Sequence, residues 1–397
     1  MEILIEKHLQ RLLNVELGFQ RSLTKEIDWS SRLIAIKGAR GTGKTTLLLQ
    51  RIKEIYGDST IALYASLDNI WFADNRIYNM ADRFYKSGGK YLFLDEVHKY
   101  PRWVQEIKNI YDDFPDLNLV FTGSSLLEIL NARADLSRRA VVYKMQGLSF
   151  REFLEMETGQ QFPTFSLDDV FSNHIKLAAE VVSKLKPLQY FDQYLRQGYF
   201  PFYKEGKAFY HQRVEEVLSM ILEIELPLMR GIDVHYVSKL KQLLQVLAGS
   251  VPFVPNISKI SERTGIARLT LLKYLVNLEE AGILILLYRD ASGLTRLQKP
   301  DKLYLENPNY IYTLVPDMVN KGSLRETFLV NQLRYKHKVE YTEPGDIIVN
   351  RNQTIEVGGK QKTRRQIANV QAAWIASDEI EFGSGNKIPL WLFGFLY

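Results

Sequence analysis

The sequence predicts an α/β fold built on a parallel sheet, and three observations carry that prediction. Between residues 32 and 146, short apolar runs alternate with helical stretches. A glycine-rich turn follows the first of these runs and opens a leucine-rich helix. A later run ends in two adjacent acids, Asp95 and Glu96. Composition narrows the class further. The chain has 397 residues, no cysteine, 51 Lys+Arg against 46 Asp+Glu, and 46% apolar residues. At about 100–200 residues per domain, that length predicts roughly two to four domains. Without cysteine there is no disulfide framework, thiolate-bound zinc or thiol nucleophile. Met1–Gln20 mixes charges with leucines and lacks the apolar stretch of a secretion signal. The longest apolar runs, 282–288 and 388–397, are too short to cross a bilayer. A cytoplasmic, multidomain protein without a membrane partner is expected. Its net charge of +5 permits nucleic-acid contact without arguing for it.

Taken in order, residues 1–28 read as a helical lead-in, with Leu9, Leu12, Leu13 and Leu17 on one stripe. Strands are expected at 32–37, 60–67, 90–96, 118–125 and 140–145. After Gly147 the pattern turns helical and aromatic, to about residue 250. Pro252 and Pro255 then break the chain ahead of a helical pair (257–281) and a strand (283–288). Beyond 291–308, a helix near 323–337 is mixed with short strands. The expected division is therefore 1–147, 148–250, 251–300 and 301–397.

The segment Gly38–Thr45 reads GARGTGKT, matching G-x-x-x-x-G-K-[ST] at every fixed position. Gly38, Ala39, Arg40, Gly41, Thr42 and Gly43 would form a phosphate-binding loop (P-loop), whose backbone N–H groups cradle the anion. The helix that opens at Lys44, Thr45 and Thr46 adds a favourable field at its N-terminus. Lys44 would lie by the β and γ phosphates of ATP, and Thr45 would offer its hydroxyl to Mg²⁺.

YLFLDE (91–96) supplies the second half of the site, 51 residues after Lys44. Its strand delivers Asp95 at the carboxyl end, where ligands sit in open parallel sheets. Asp95 is the expected Mg²⁺ partner, and Glu96 the base that orients attacking water. The strand between the two motifs, with another after Asp95, suits the P-loop branch that inserts an extra strand and uses a catalytic glutamate. NLVFTGSS (118–125) then ends in hydroxyls. Thr122, Ser124 or Ser125 would contact the γ-phosphate or the water, or else cap a helix over 126–132. Arg138 and Arg139 follow, one of them reaching the transferring phosphate, or both forming a solvated pair.

On these residues the chain resembles a family of prokaryotic AAA-like ATPases, in which a P-loop domain precedes a C-terminal region of unknown function. The matching segments are 34–48, 91–112, 119–125, 136–140 and 148–154, continued by YLRQGYFP (194–201), KLYLENPNYIYTL (302–314) and RETFLVNQL (325–333). The resemblance implies an ATPase core, a helical lid, a winged helix-turn-helix and a small nuclease-like α/β end. It places Arg139 on the family's single arginine at that junction. Gly198 and Pro201 stand where the family has Gly-Gly-apolar-Pro, and read as a turn between lid helices.

Within 256–281, Ser258 would cap a short helix, Thr264–Ile266 would turn, and Ala267–Ala281 would form a second helix. Leu271, Leu272, Leu275 and Leu278 would be buried, leaving Arg268, Thr270, Lys273 and Asn277 outward. Arg268, Lys273 and Asn277 are the candidate contacts to double-stranded DNA, with 283–288 and the turn 290–293 as a wing. Residues 256–302 carry 8 Lys/Arg and 5 Asp/Glu, less basic than a dedicated DNA reader usually is, and a protein-contact role is the alternative. At the C-terminal end, the resemblance implies a nuclease-like set of Glu326, Asp346 and Glu356. The lysine expected two residues after Glu356 is replaced by Gly358, and Lys360 keeps the strand face but lies ~6.6 Å further along. A degenerate scaffold is expected in preference to a Mg²⁺-dependent nuclease. The basic run 360–365 would touch nucleic acid or form a solvated loop. The expected function is ATP binding and hydrolysis, with a nucleotide-gated DNA-binding regulator as the alternative and a homo-oligomer or protein partner as candidates.

Overall fold

A computed structural model describes residues 1–124, 136, 138–249, 254–289 and 299–397, with the side chain of Val234 left aside. Two compact units result, Met1–Gly147 and Leu148–Tyr397. Among the described residues, no helix is long and apolar enough to cross a membrane.

The first unit is built on strands β1 (Leu33–Lys37), β2 (Ala62–Ser66), β3 (Tyr91–Asp95), β4 (Asn118–Gly123) and β5 (Val141–Lys144). All pairings are parallel, and the order is β2-β3-β4-β1-β5. β4 thus stands between the strand before the glycine loop and the strand that ends at Asp95. The central strands are buried because each is a continuous apolar run, as a sheet covered on both faces demands. β5 is an edge, with Val141 and Val142 exposed. Helix α1 (Glu2–Asn14) covers part of the sheet, followed by α2 (Lys44–Ile55), α3 (Ile77–Lys86) and α4 (Trp103–Asp113). α1 corrects the expected stripe. It buries Leu4, His8 and Leu12, whereas Leu9, Leu13 and Leu17 are exposed. His8 takes the inward position because its Nδ1 accepts a hydrogen bond from the Tyr64 N–H of edge strand β2 at 3.0 Å.

The second unit opens with α5 (Phe150–Thr158), whose N-terminus is closed by a reciprocal Ser149–Glu152 capping box. α6 (Leu167–Val182), α7 (Pro187–Gln197), α8 (Tyr210–Met220) and α9 (Val237–Ala248) follow. Gly198 ends α7, and its close approach to Tyr194 Cα leaves no room for a side chain: a Cβ there would lie 2.6 Å away. Aromatic rings hold these helices to later ones, with Phe191 centroids 5.1 Å from Phe150 and 4.9 Å from Phe328.

Next come α10 (Ile257–Thr264), α11 (Arg268–Glu280), β6 (Leu284–Leu287) and β7 (Lys302–Leu305). β6 and β7 pair antiparallel, so this hairpin runs past the boundary expected at residue 300. The cap of α10 is Asn256, whose side chain accepts from the Lys259 N–H, and not Ser258. The turn residues expected at 290–293 lie outside the described residues. After α12 (Pro308–Leu314) and α13 (Lys321–Arg334), the chain forms β8 (Val339–Tyr341), β9 (Ile347–Val349), β10 (Gln353–Gly358), β11 (Ala373–Ser377) and β12 (Lys387–Pro389). β8, β9 and β10 are antiparallel neighbours, and β11 and β12 extend that sheet in parallel. The segments 148–250, 251–300 and 301–397 all fall within this one unit.

Candidate functional site

Two loops at the carboxyl edge of the first sheet meet in one place. The loop after β1 turns sharply through Gly43, whose φ of 96° suits glycine and caps α2. Gly38 is fixed for a different reason: a Cβ there would lie 2.3 Å from the Met145 carbonyl oxygen. Lys44 is buried, and its Nζ donates to the Gly38 and Ala39 carbonyls at 2.8 and 3.1 Å. The Thr42 hydroxyl donates to the Ala39 carbonyl at 2.9 Å, while Arg40 and Thr46 are exposed.

Asp95, at the end of β3, is almost fully buried and is held from three directions. Its Oδ2 accepts from the Thr45 hydroxyl at 2.7 Å and from the Tyr64 hydroxyl at 2.8 Å. Its Oδ1 accepts from the Thr122 hydroxyl. Thr122 Oγ1 in turn accepts the Glu96 N–H at 3.1 Å. Thr122 therefore holds the Asp95 carboxylate and the Glu96 main chain from the neighbouring strand. Burial, then the Asp95 carboxylate beside it, push the Tyr64 hydroxyl's pKa up. Glu96 lies in the left-handed region at φ 54°, a conformation that costs a non-glycine residue about 1–3 kcal/mol and needs support around it. Burial pushes its carboxyl pKa up, and nearby Lys44 offsets part of that rise.

The sequence motifs thus bring Lys44, Thr45, Asp95 and Glu96 together. A hydroxyl and a carboxylate 2.7 Å apart form the oxygen donor set that suits Mg²⁺, which keeps most of its waters and takes few protein ligands. Among the described residues, no group of three or more His, Asp or Glu side chains could hold a metal ion.

Several residues escaped the sequence reading. Arg21, buried in the lead-in, donates to the Thr42 carbonyl at 2.6 Å and to the Gln146 and Gly147 carbonyls at 2.7 and 2.9 Å. It ties the phosphate loop to the end of the unit, and a lone arginine in the segment between two helices gives no advance sign of that. Tyr64 was legible in principle, since it lies two residues before Ser66, the β2 partner of Asp95, on the same strand face. His98, in the turn after Glu96, is another.

Arg139 is placed elsewhere. Ile34 pairs with Val141 in parallel, so Arg139 sits at the amino edge of the sheet, opposite the phosphate loop. It binds Asp112 at 3.1 and 3.2 Å and lies over the Tyr111 ring. Arg139 was expected to complete the site within or between subunits, and in its own chain it lies away from the phosphate loop. Arg138 is exposed. Ser124 is buried, and its N–H donates to His98 Nδ1 at 3.4 Å. Ser125 and the helix expected over 126–132 lie outside the described residues.

On α11, Arg268 and Lys273 are exposed, as expected of a polar face, but Asn277 is only 5% exposed and is withdrawn from it. Tyr274 takes an inward place beside Leu271, Leu275 and Leu278, and Leu272 is only partly covered. The C-terminal carboxylates do draw near one another, but around ammonium groups. Lys302 Nζ donates to Glu326 at 2.8 Å and to Asp346 at 3.2 Å, and the Tyr304 hydroxyl also reaches Glu326. Burial alone would lower the Lys302 pKa; Glu326 and Asp346 outweigh it and raise it. Burial, then Asp346, push Glu326 up. The lysine beside Glu356 is Lys362, at 2.5 Å, and not Lys360.

The sheet order, the glycine loop and the Thr45–Asp95 contact give the first unit the fold of a P-loop α/β domain of AAA-like type. In agreement, residues 30–154 match the family model described as AAA domain. Among solved structures, the chain is similar to PCH-2 of C. elegans at 16% identity, covering 39% of this chain and 45% of that one, with a TM-score of 0.24. It is also similar to AMPPCP-bound DnaA from Aquifex aeolicus, at 15% identity, 69% and 86% coverage and a TM-score of 0.28. A katanin self-assembly structure matches at 10% identity, 47% and 78% coverage and 0.29. The chain spans less than half of PCH-2, and scores this low carry no argument about the rest of the molecule. No curated protein matches the chain.

Proposed function

We propose that this protein binds ATP with Mg²⁺ and hydrolyses it, and that its nucleotide state acts on the C-terminal unit. The observation that carries this reading is the 2.7 Å contact between Thr45 and Asp95, with Lys44 and Glu96 beside it. The loop N–H groups and the Lys44 ammonium would hold the phosphates, and Thr45 with Asp95 would hold Mg²⁺. When bound, that ion would supply positive charge to neutralise the charge that develops on the phosphates. Glu96 would accept a hydrogen bond from the attacking water and orient it. Arg21 keeps the loop's carbonyls in place. Arg139, at the far edge of the sheet, is assigned to the site of a second copy. The C-terminal unit is assigned as a helical lid (148–250), a winged helix-turn-helix (251–300, with β7 as part of the wing) and a nuclease-like end (301–397) without nuclease activity. Lys44→Ala should abolish ATP binding measured by calorimetry or a fluorescent analogue. Unchanged affinity in that variant would remove the site.

A second reading, a nucleotide-gated regulator that binds DNA, is favoured by one observation. Exposed Arg268 and Lys273 stand on the second helix of a helix-turn-helix that leads into an antiparallel hairpin. Salt-dependent duplex binding lost in Arg268→Ala/Lys273→Ala supports it, and no binding at low salt refutes it.

A further inference from the structure

Glu96 needs more than a suitable place in the sequence: a base acts on water only if its carboxylate is aimed. His98, in the turn Val97–Lys99, has a side chain that is 4% exposed and stands between Glu96 and the end of β4. Its Nδ1 accepts the Ser124 N–H at 3.4 Å, so the ring's single proton belongs on Nε2. That nitrogen faces Glu96 Oε2 at 3.5 Å. One ring therefore reads the backbone after β4 on one side and presents a donor to the base on the other. The backbone of Glu96 is held by the same strand, through Thr122. The main chain of Glu96 is thus held by β4, and its carboxylate has, 3.5 Å away, a ring nitrogen that is not yet within hydrogen-bond geometry.

We propose that His98 is a positioning residue for Glu96: it donates Nε2–H to one carboxylate oxygen and leaves the other free to orient water, with its own ring fixed by the Ser124 N–H. This follows the general arrangement in which a base is itself oriented by a third group. Contacts of this kind are often long without substrate and tighten once it is seated. The inference rests on the hydrolysis reading above and goes beyond it by naming what aims the base. β4, through Ser124, becomes a route by which movement next to the phosphate site changes the aim of Glu96.

The test uses full-length protein and ATP with Mg²⁺. In His98→Ala, kcat should fall by about 10- to 100-fold, as for other groups that orient a reacting one. KM and ATP affinity should stay within about twofold. His98→Gln, which keeps an amide donor towards Glu96, should recover most of the rate. Glu96→Gln/His98→Ala should be no slower than Glu96→Gln alone, because the two act as one unit. Independently of turnover, ¹H–¹⁵N spectra of the ring, assigned by its loss in His98→Gln, should show the Nε2–H tautomer. Wild-type kcat in His98→Ala, equal losses in the Ala and Gln variants, or an Nδ1–H tautomer would each overturn the inference. Turnover lost in Glu96→Gln but kept in His98→Ala removes His98 alone. No turnover in the wild type removes the hydrolysis reading and this inference with it.

Discussion

Asp95 is the point on which the site converges, because Thr45, Tyr64 and Thr122 spend their hydroxyl protons on it. Unequal consequences follow from removing them. Thr122→Val deletes the bond to Asp95 and the acceptor for the Glu96 N–H together. It should cost roughly 1–3 kcal/mol, the usual penalty of leaving buried polar groups unmatched, and should slow turnover as well. Tyr64→Phe leaves Asp95 with its other two donors, so a loss nearer 1 kcal/mol is expected. Urea denaturation of both variants checks the ranking, and a larger loss in Tyr64→Phe would contradict it. At this scale Lys44, Thr45, Asp95 and Glu96 were legible, because phosphate and Mg²⁺ chemistry demands those residue types at that spacing. Thr122 was visible as a hydroxyl, but its use was not: a sequence shows that a strand ends in threonine, not which neighbouring strand it faces.

Elements were legible where periodicity alone decides them and less so where a partner decides. The five apolar runs became the five strands of the parallel sheet, four of them buried and β5 an exposed edge. In α1, by contrast, leucine spacing suggested one buried stripe, yet the face that buries is the one carrying His8, which satisfies an N–H of edge strand β2. Asn277 was read as outward for its polarity and is covered. At the nuclease-like end, Glu326, Asp346 and Glu356 were found in sequence. The ammonium between two of them comes from Lys302 on β7, far away in sequence and opposite in hairpin register to Leu287. Lys302→Ala would leave two partly buried carboxylates facing each other and should destabilise the second unit, by less than the roughly 3–5 kcal/mol of a fully buried pair. Adding Glu326→Gln to it should restore much of that loss in the same denaturation experiment. No recovery would show that the lysine stem, and not its charge, matters there.

For the whole molecule, the many buried tyrosines set a pH limit. Burial raises the hydroxyl pKa of Tyr194, Tyr210, Tyr304 and Tyr310 well above 10. Because the folded values exceed the unfolded one, this contribution to stability is complete below about pH 10 and is lost as pH rises towards the folded values. Melting temperature should therefore fall steadily above about pH 10, and a flat profile there would contradict the burial of these rings. The extent of the second unit was not legible, since 148–250, 251–300 and 301–397 pack through aromatic contacts between residues far apart in sequence, such as Phe191 with Phe328. Hydrolysis is proposed at the Lys44–Thr45–Asp95–Glu96 site. Its most direct measurement is phosphate release from Mg²⁺-ATP by wild type and Glu96→Gln, at matched ATP occupancy. Turnover is expected in the wild type and a loss of about 10²-fold or more in Glu96→Gln with ATP still bound; equal rates in the two proteins would rule out Glu96 as the base.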